Sequence, residues 1–235
     1  MFHSRKPDNI YKSIKISKNI LKPYVIINFA SSLDGRISAN GGKQFKFSNL
    51  EDMARVHELR HESDIIVVGV NTIEMDDPKL VVNRKYFPSE KVPDVGILDS
   101  SLRVNERANL FGYMRNVLIF CGSNAPEREF DQGNKARVMV IRSSEQRPSA
   151  RFVVENIGSL GYSKVMVEGG RSVITSFILE DVWDEINIFY SPVFIGQGGV
   201  PMISHLKNPL RFNAVETTVL GDGFLVKIKK SLNVH

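Results

Sequence analysis

The sequence predicts an α/β domain whose sheet is mostly parallel, flanked by helices, and antiparallel at one edge. Three observations predict it. Seven short runs rich in Val and Ile recur along the chain, most of them apolar nearly throughout, as strands covered on both faces of a parallel sheet are. Segments with helical spacing lie between several of them. Near the C-terminus two β-rich runs surround Gly221-Asp222-Gly223, a hairpin signal.

In chain order, the first run is YVIINFA (24–30), directly after Pro23. The segment 48–64 follows as a helix: Ser48 and Glu51 are spaced as a capping box, and Leu50, Met53, Ala54, Val56 and Leu59 recur at helical intervals. DIIVVGV (64–70) is the second strand, VGILDS (95–100) the third, NVLIFC (116–121) the fourth and RVMVI (137–141) the fifth. A helix is expected over 150–160, then SKVMVE (163–168), a helix over 171–182, EINIFYS (185–191) and the terminal hairpin within 213–230. With no repeat, low-complexity linker or further boundary, residues 23–235 read as one domain preceded by a basic extension, 1–22.

That extension explains the charge. The 235 residues carry 31 Lys and Arg against 26 Asp and Glu, a formal net charge of +5, and the isoelectric point is near 9.3. Such a balance ordinarily suggests nucleic acid or an anionic membrane as partner. Yet Arg5, Lys6, Lys12, Lys15, Lys18 and Lys22 face only Asp8 in the first 22 positions, so the remainder holds 25 bases and 25 acids. The body is formally neutral, which argues against nucleic acid. The single Cys121 rules out an internal disulfide and a thiolate zinc cage. No apolar run approaches the ~20 residues of a membrane span, and charges interrupt the N-terminus too often for a secretory signal. A cytoplasmic protein is expected.

Three strand-to-loop junctions carry candidate chemistry. In SKVMVEGGRSVITSFI (163–178) an apolar strand ends in Glu168, then Gly169-Gly170, then a helix. Glycines there let a ligand approach the backbone, and free N–H groups at a helix start attract phosphate; the same glycines also suit a plain tight turn. The segment 69–83 gathers Asn71, Thr72, Asp76 and Asp77 before Pro78, side chains able either to bind a ribose or to hold their own backbone. Asp76 and Asp77 are adjacent and so do not form a catalytic carboxylate pair. In NFASSLDGRISANGG (28–42), Asp34-Gly35 is a turn signal and Arg36 suits an anion. PVFIGQGGVP (192–201) is a further Gly-rich turn, read as structural, with a position flanking a cofactor as the alternative. His57 and His61 lack a third metal ligand; Cys121 and Trp183 read as core, and no metal is expected.

Together these segments resemble the reductases of riboflavin biosynthesis, a family with a dihydrofolate-reductase-like fold. The resemblance is carried by KPYVIINFASSLDGRIS (22–38), RVHELRHESDIIVVGVNTIEMDDPKL (55–80), ILDSSLRV (97–104), VMVEGG (165–170) and INIFYSPVFIGQGG (186–199). It implies that NADPH reduces the ribosyl group of a ribosylaminopyrimidine 5′-phosphate to ribityl, the sugar reacting as an open-chain imine. It implies that Thr72, Asp76, Ser100, Gly169, Gly170, Arg171, Ser172 and Val173 bind the cofactor. Glu168, Arg60, Asp34, Asn83 and the backbone around Leu80 belong to the substrate side, with Arg36 and Glu168 as catalytic candidates and Asp34 shaping its loop. A homodimer is implied as well.

Two departures stand out. Where bacterial relatives often place a tryptophan in an SxWIT-like stretch, this chain has QFKFS (44–48), so Phe45, Lys46 or Phe47 fills that space. Where some relatives have an arginine after DDPxL, this chain has Asn83, which leaves the substrate phosphate to Arg84, Lys85 or Arg36. Bacterial members usually fuse the reductase to a zinc deaminase, whereas here only 22 residues precede it and no zinc signature occurs. The archaeal and fungal branch is therefore expected, with the 2,5-diamino-6-ribosylamino-pyrimidinone 5′-phosphate as substrate. The deaminated uracil substrate, or another enzyme of the same fold, is the alternative.

Overall fold

The computed structural model describes residues 22–230 except 40, 42–44, 132 and 214. The basic extension lies outside the described residues apart from Lys22, whose ammonium is 3.3 Å from Asp184. A nine-stranded sheet organises the rest. Its strands are β1 (Tyr24–Ser32), β2 (Ile65–Gly69), β3 (Asp94–Leu98), β4 (Asn116–Cys121), β5 (Arg137–Arg142), β6 (Lys164–Val167), β7 (Glu185–Ser191), β8 (Val215–Leu220) and β9 (Gly223–Lys229). They lie in the order β5-β4-β3-β2-β6-β1-β7-β9-β8. All pairs from β5 to β7 are parallel, and β7–β9 and β9–β8 are antiparallel. The expected mixed sheet is thus observed.

The apolar strand sequences follow from burial on both sides. Val25 and Ile27 of β1, with Val165, Val167, Ile65 and Val67, join α3 (Ala150–Ser159) and α4 (Arg171–Leu179) in one core. Ile66, Val68, Met166, Ile97 and Ile119 join Val56 of α1 (Leu50–Glu62) in the other. Among the described residues no helix is long and apolar enough to cross a membrane.

Three local expectations are corrected. The cap of α1 is Asn49, one residue after Ser48: its Oδ1 accepts from the Asp52 N–H at 2.9 Å. The Ser48 hydroxyl donates instead to the Asp52 carboxylate, so Ser48 and Glu51 form no capping box. The Asn49 amide also donates to the Leu220 carbonyl at 2.7 Å, which ties the helix start to the β8–β9 turn. Second, the stretch after β2, read as a loop, begins as a helix, α2 (Val70–Asp76). It ends at Asp77 in the left-handed region (φ 40°), because Pro78 cannot continue it. Two turns burying only Val70 and Ile73 are too short for periodicity to reveal. Third, α4 stops at Leu179, short of residue 182, where Asp181 turns left-handed (φ 56°).

Candidate active site

A cleft of about 1500 Å³ runs along the carboxyl ends of β1, β2, β3 and β6, where open α/β sheets bind their ligands. One side is built on the β6–α4 junction. Gly170 caps α4 without a side-chain bond, so the first N–H groups of the helix open into the cleft wall formed by Gly169, Gly170, Arg171, Ser172 and Val173. A Cβ on Gly169 would lie 2.5 Å from the Val173 Cβ, whereas one on Gly170 would meet only the Thr72 Oγ1, at 3.4 Å. Gly169 is therefore required by the packing of α4 against its own turn. Thr72 and Asp76, one turn apart on α2, line the same side, with Ser100, Ser101 and Arg103 beyond β3 and Arg147 before α3. The Arg103 guanidinium donates to Glu74 and Asn71, fixing the loop after β3 to α2.

The other side is built on α1 and β1. Arg60 donates through Nε to Glu168 Oε1 and through Nη2 to Oε2, both at 2.7 Å, and through Nη1 to the Val81 carbonyl at 3.2 Å. Burial alone would lower the Arg60 pKa, but the adjoining Glu168 charge and hydrogen bond raise it, so the guanidinium stays charged. Phe45, Lys46, Phe47, Ser48, Met53 and Asn28 complete the lining. The Phe45 and Phe47 rings lie 4.8 Å apart, so aromatic side chains occupy the QFKFS wall. Deep behind Arg60, the buried His57 ring stacks on Tyr86 at 5.0 Å and its Nδ1 accepts from the Asn83 N–H at 3.1 Å. Burial, and then the Arg60 charge, push the His57 pKa down to about 4.

The structure thus brings together Arg60, Glu168, Thr72, Asp76, Ser100 and 169–173. Arg36, Asp34, Leu80 and Asn83 lie off the described cleft lining. Asp34 accepts from the Ser32 hydroxyl at 2.6 Å and from the Ile195 and Gly196 N–H groups at 3.0 and 2.7 Å. Those bonds, Ser32 first, hold its carboxyl well below the usual range and clamp the Gly-rich turn onto the LDGR turn. Arg36 extends beside Asp34, Nε to Oδ2 3.7 Å, while the neighbouring Ile37 and Ser38 reach the cleft. Leu80 is buried in the left-handed region (φ 50°), its carbonyl accepting from Arg115 at 3.1 Å. The Asn83 Oδ1 accepts from its own turn, at the Lys85 N–H. Arg84 pairs with Glu90 at the surface, and the Lys85 ammonium lies over the Tyr86 ring. Sequence reasoning missed Asn28, Arg103 and Arg147 as cleft residues; a polar Asn28 inside an apolar strand was the one available signal.

Comparison with known proteins decides the family. The family described as RibD C-terminal domain matches residues 23–226. The chain belongs to the RibD C-terminal domain family. A family relative, the 2,5-diamino-6-ribosylamino-4(3H)-pyrimidinone 5′-phosphate reductase of Archaeoglobus fulgidus, is 34% identical over 88% of this chain and 97% of that protein. The enzyme of the same name from Methanothermobacter thermautotrophicus is 29% identical, over 88% and 98%. Riboflavin biosynthesis protein RibD of Aquifex aeolicus is 27% identical over 89% of this chain but only 58% of its own length. Among solved structures, the deaminase/reductase of Thermotoga maritima superposes with TM-score 0.73 at 26% identity, covering 89% of this chain and 57% of that one. The riboflavin biosynthesis reductase of Saccharomyces cerevisiae superposes with TM-score 0.67 at 20% identity, covering 91% of each, which shows a shared RibD-reductase fold.

Proposed function

We propose that the chain reduces the ribosyl side chain of 2,5-diamino-6-ribosylamino-4(3H)-pyrimidinone 5′-phosphate to the ribityl form, with NADPH as reductant, in riboflavin biosynthesis. One observation carries this reading. In a chain 34% identical to a reductase of that name, a single cleft runs from the open start of α4 to the Arg60–Glu168 pair. A nicotinamide cofactor fits the α4 side, where the glycine turn admits a diphosphate and helix N–H groups favour its charge. Thr72, Asp76, Ser100, Gly169, Gly170, Arg171, Ser172 and Val173 would hold it. Arg103 and Arg147 add guanidinium groups to that wall beside Ser100 and Ser101, chemistry suited to the extra phosphate that distinguishes NADPH from NADH.

When bound, the cofactor supplies the hydride. This chain's residues orient the acceptor. Glu168, held in one rotamer by Arg60, takes hydrogen bonds from the substrate. Arg36 would attend the reacting centre as a cation by swinging from beside Asp34 into the cleft that its neighbours Ile37 and Ser38 line; its Nε makes no hydrogen bond among the described residues. Asp34 sets that loop, Leu80 and Asn83 set the neighbouring one, and Arg84 and Lys85 are available to the 5′-phosphate. We also infer a cytoplasmic homodimer of a single reductase domain, 23–235, with residues 1–22 as an appendage. The edge strand β8, with Val215 and Val219 exposed, supports pairing with a second copy.

The test is direct. Purified protein should oxidise NADPH in the presence of the diaminopyrimidinone phosphate and form its ribityl product. Turnover confined to the deaminated uracil compound would overturn the substrate assignment, and turnover of neither would overturn the activity.

A further inference from the structure

Arg115 lies just before β4, is 6% exposed and does not line the cleft. Its guanidinium reaches back to the loop after α2, donating through Nη2 to the Lys79 carbonyl at 3.0 Å and through Nη1 to the Leu80 carbonyl at 3.1 Å. The next carbonyl, that of Val81, accepts from Arg60 Nη1 at 3.2 Å. Two guanidiniums thus hold three successive carbonyls. Arg60 spends Nε and Nη2 on Glu168, so the Val81 carbonyl is the contact that fixes the plane of that fork from its other edge. Stability does not explain Arg115. It makes no ion pair among the described residues; its Nε is buried without a hydrogen-bond partner, and the Tyr113 ring lies 5.1 Å from its Cζ. Asp94, whose charge favours the cation, is taken up by Asn116 and Tyr162. Burial pushes the Arg115 pKa down to about 10, so the group is still charged at neutral pH. A buried cation without a counter-ion is destabilising, and an apolar side chain of similar volume would avoid that penalty. What Arg115 does hold is strain. Leu80 is buried in the left-handed region (φ 50°), which leucine keeps only where its surroundings over-determine it. The Lys79 and Leu80 carbonyls belong to the two peptide planes on either side of Leu80, and Arg115 fixes both.

We propose that Arg115 is a positioning residue for the substrate side of the cleft: it holds the peptide planes flanking Leu80 so that the Val81 carbonyl meets Arg60 and Arg60 aims Glu168. This deepens the function proposed above and rests on it. Arg115 touches neither substrate nor cofactor and acts through Leu80, Val81 and Arg60 in turn. Without it Leu80 relaxes out of the left-handed region and the Val81 carbonyl turns away. The Arg60–Glu168 fork then keeps its two internal bonds but loses the anchor that sets its direction.

The experiment measures kcat and KM for the diaminopyrimidinone phosphate, Kd for NADPH and the urea midpoint in wild type, Arg115→Met, Arg115→Lys, Glu168→Gln and the double variant Arg115→Met/Glu168→Gln. Arg115→Met should lower kcat about 10-fold by misaligning Glu168, with Kd for NADPH held within about twofold. Arg115→Lys, a cation able to hold one of the two carbonyls, should recover part of that loss. In the Glu168→Gln background the Arg115→Met change should lower kcat by less than about threefold, because the group it positions is already altered. Should Arg115→Met not fold, Arg115→Lys alone and combined with Glu168→Gln carries the same comparison. A folded Arg115→Met with wild-type kcat, a loss confined to NADPH affinity, or a loss that adds in full to that of Glu168→Gln would overturn the proposal while leaving the activity standing. A wild type inactive on the compound would overturn the function and this inference together.

Discussion

Arg60 and Glu168 meet as a two-pronged pair that binds the last turns of α1 to the residue just beyond β6, with both contacts at 2.7 Å. Their side chains are 17% and 14% exposed, so the pair is largely shielded from solvent. The fork fixes the Glu168 carboxylate in the cleft wall and leaves its remaining lone pairs for a ligand.

Glu168→Gln is expected to lower turnover by about 10- to 100-fold, since a charged acceptor that orients the substrate becomes a neutral amide. Cofactor affinity should change little, because Glu168 is assigned to the substrate side. Stability should fall by about 3 kcal/mol, as Arg60 keeps its charge and loses the partner that offset its desolvation. Steady-state kinetics, fluorescence titration with NADPH and urea unfolding separate the three. A loss dominated by NADPH affinity would contradict the assignment.

The two glycines before α4 should behave differently. Gly169→Ala places a methyl 2.5 Å from the Val173 Cβ, so it should destabilise the fold by about 1–3 kcal/mol through overpacking. Gly170→Ala meets only the Thr72 hydroxyl oxygen, at 3.4 Å, and should leave stability within about 0.5 kcal/mol. Its methyl stands instead where a bound diphosphate would approach, so NADPH binding should weaken. Thermal unfolding and a binding isotherm for each variant decide the matter; Gly170→Ala with wild-type affinity would remove the diphosphate from this turn.

His57 predicts a pH dependence of stability. Its folded pKa is depressed from 6.5 to about 4, by burial first. Between those values the unfolded chain binds a proton that the folded chain does not, so stability is complete above pH 6.5 and declines as pH falls towards 4. The loss should be on the order of 2 kcal/mol. In His57→Asn, whose carbonyl can accept from the Asn83 N–H, this component should vanish. Urea midpoints at pH 7 and pH 5 read the difference, and an equal decline in both proteins would assign the effect to other groups.

Much of this molecule is legible along the chain. Strands such as IIVVG announce burial on both faces, and the Gly221 turn announces the hairpin, because each signal is local and repeats over a few residues. Thr72, Asp76, Ser100 and the 169–173 turn follow strands at their carboxyl ends, a position that marks ligand contact in this architecture. The helix α2 escaped because two turns offer too little periodicity, and the cap at Asn49 because Ser48 fits the same pattern one residue earlier.

By itself the sequence determined the mixed sheet, the order of its elements and the family, since apolar runs, turn residues and motif order are properties of neighbours along the chain. Only the tertiary structure decided which polar groups are already engaged. Arg60 and Glu168 are 108 positions apart, and Asp34 closes on a turn some 160 residues away. Hydrogen-bond saturation is set by distance in space, and strand register, not sequence spacing, fixes that distance.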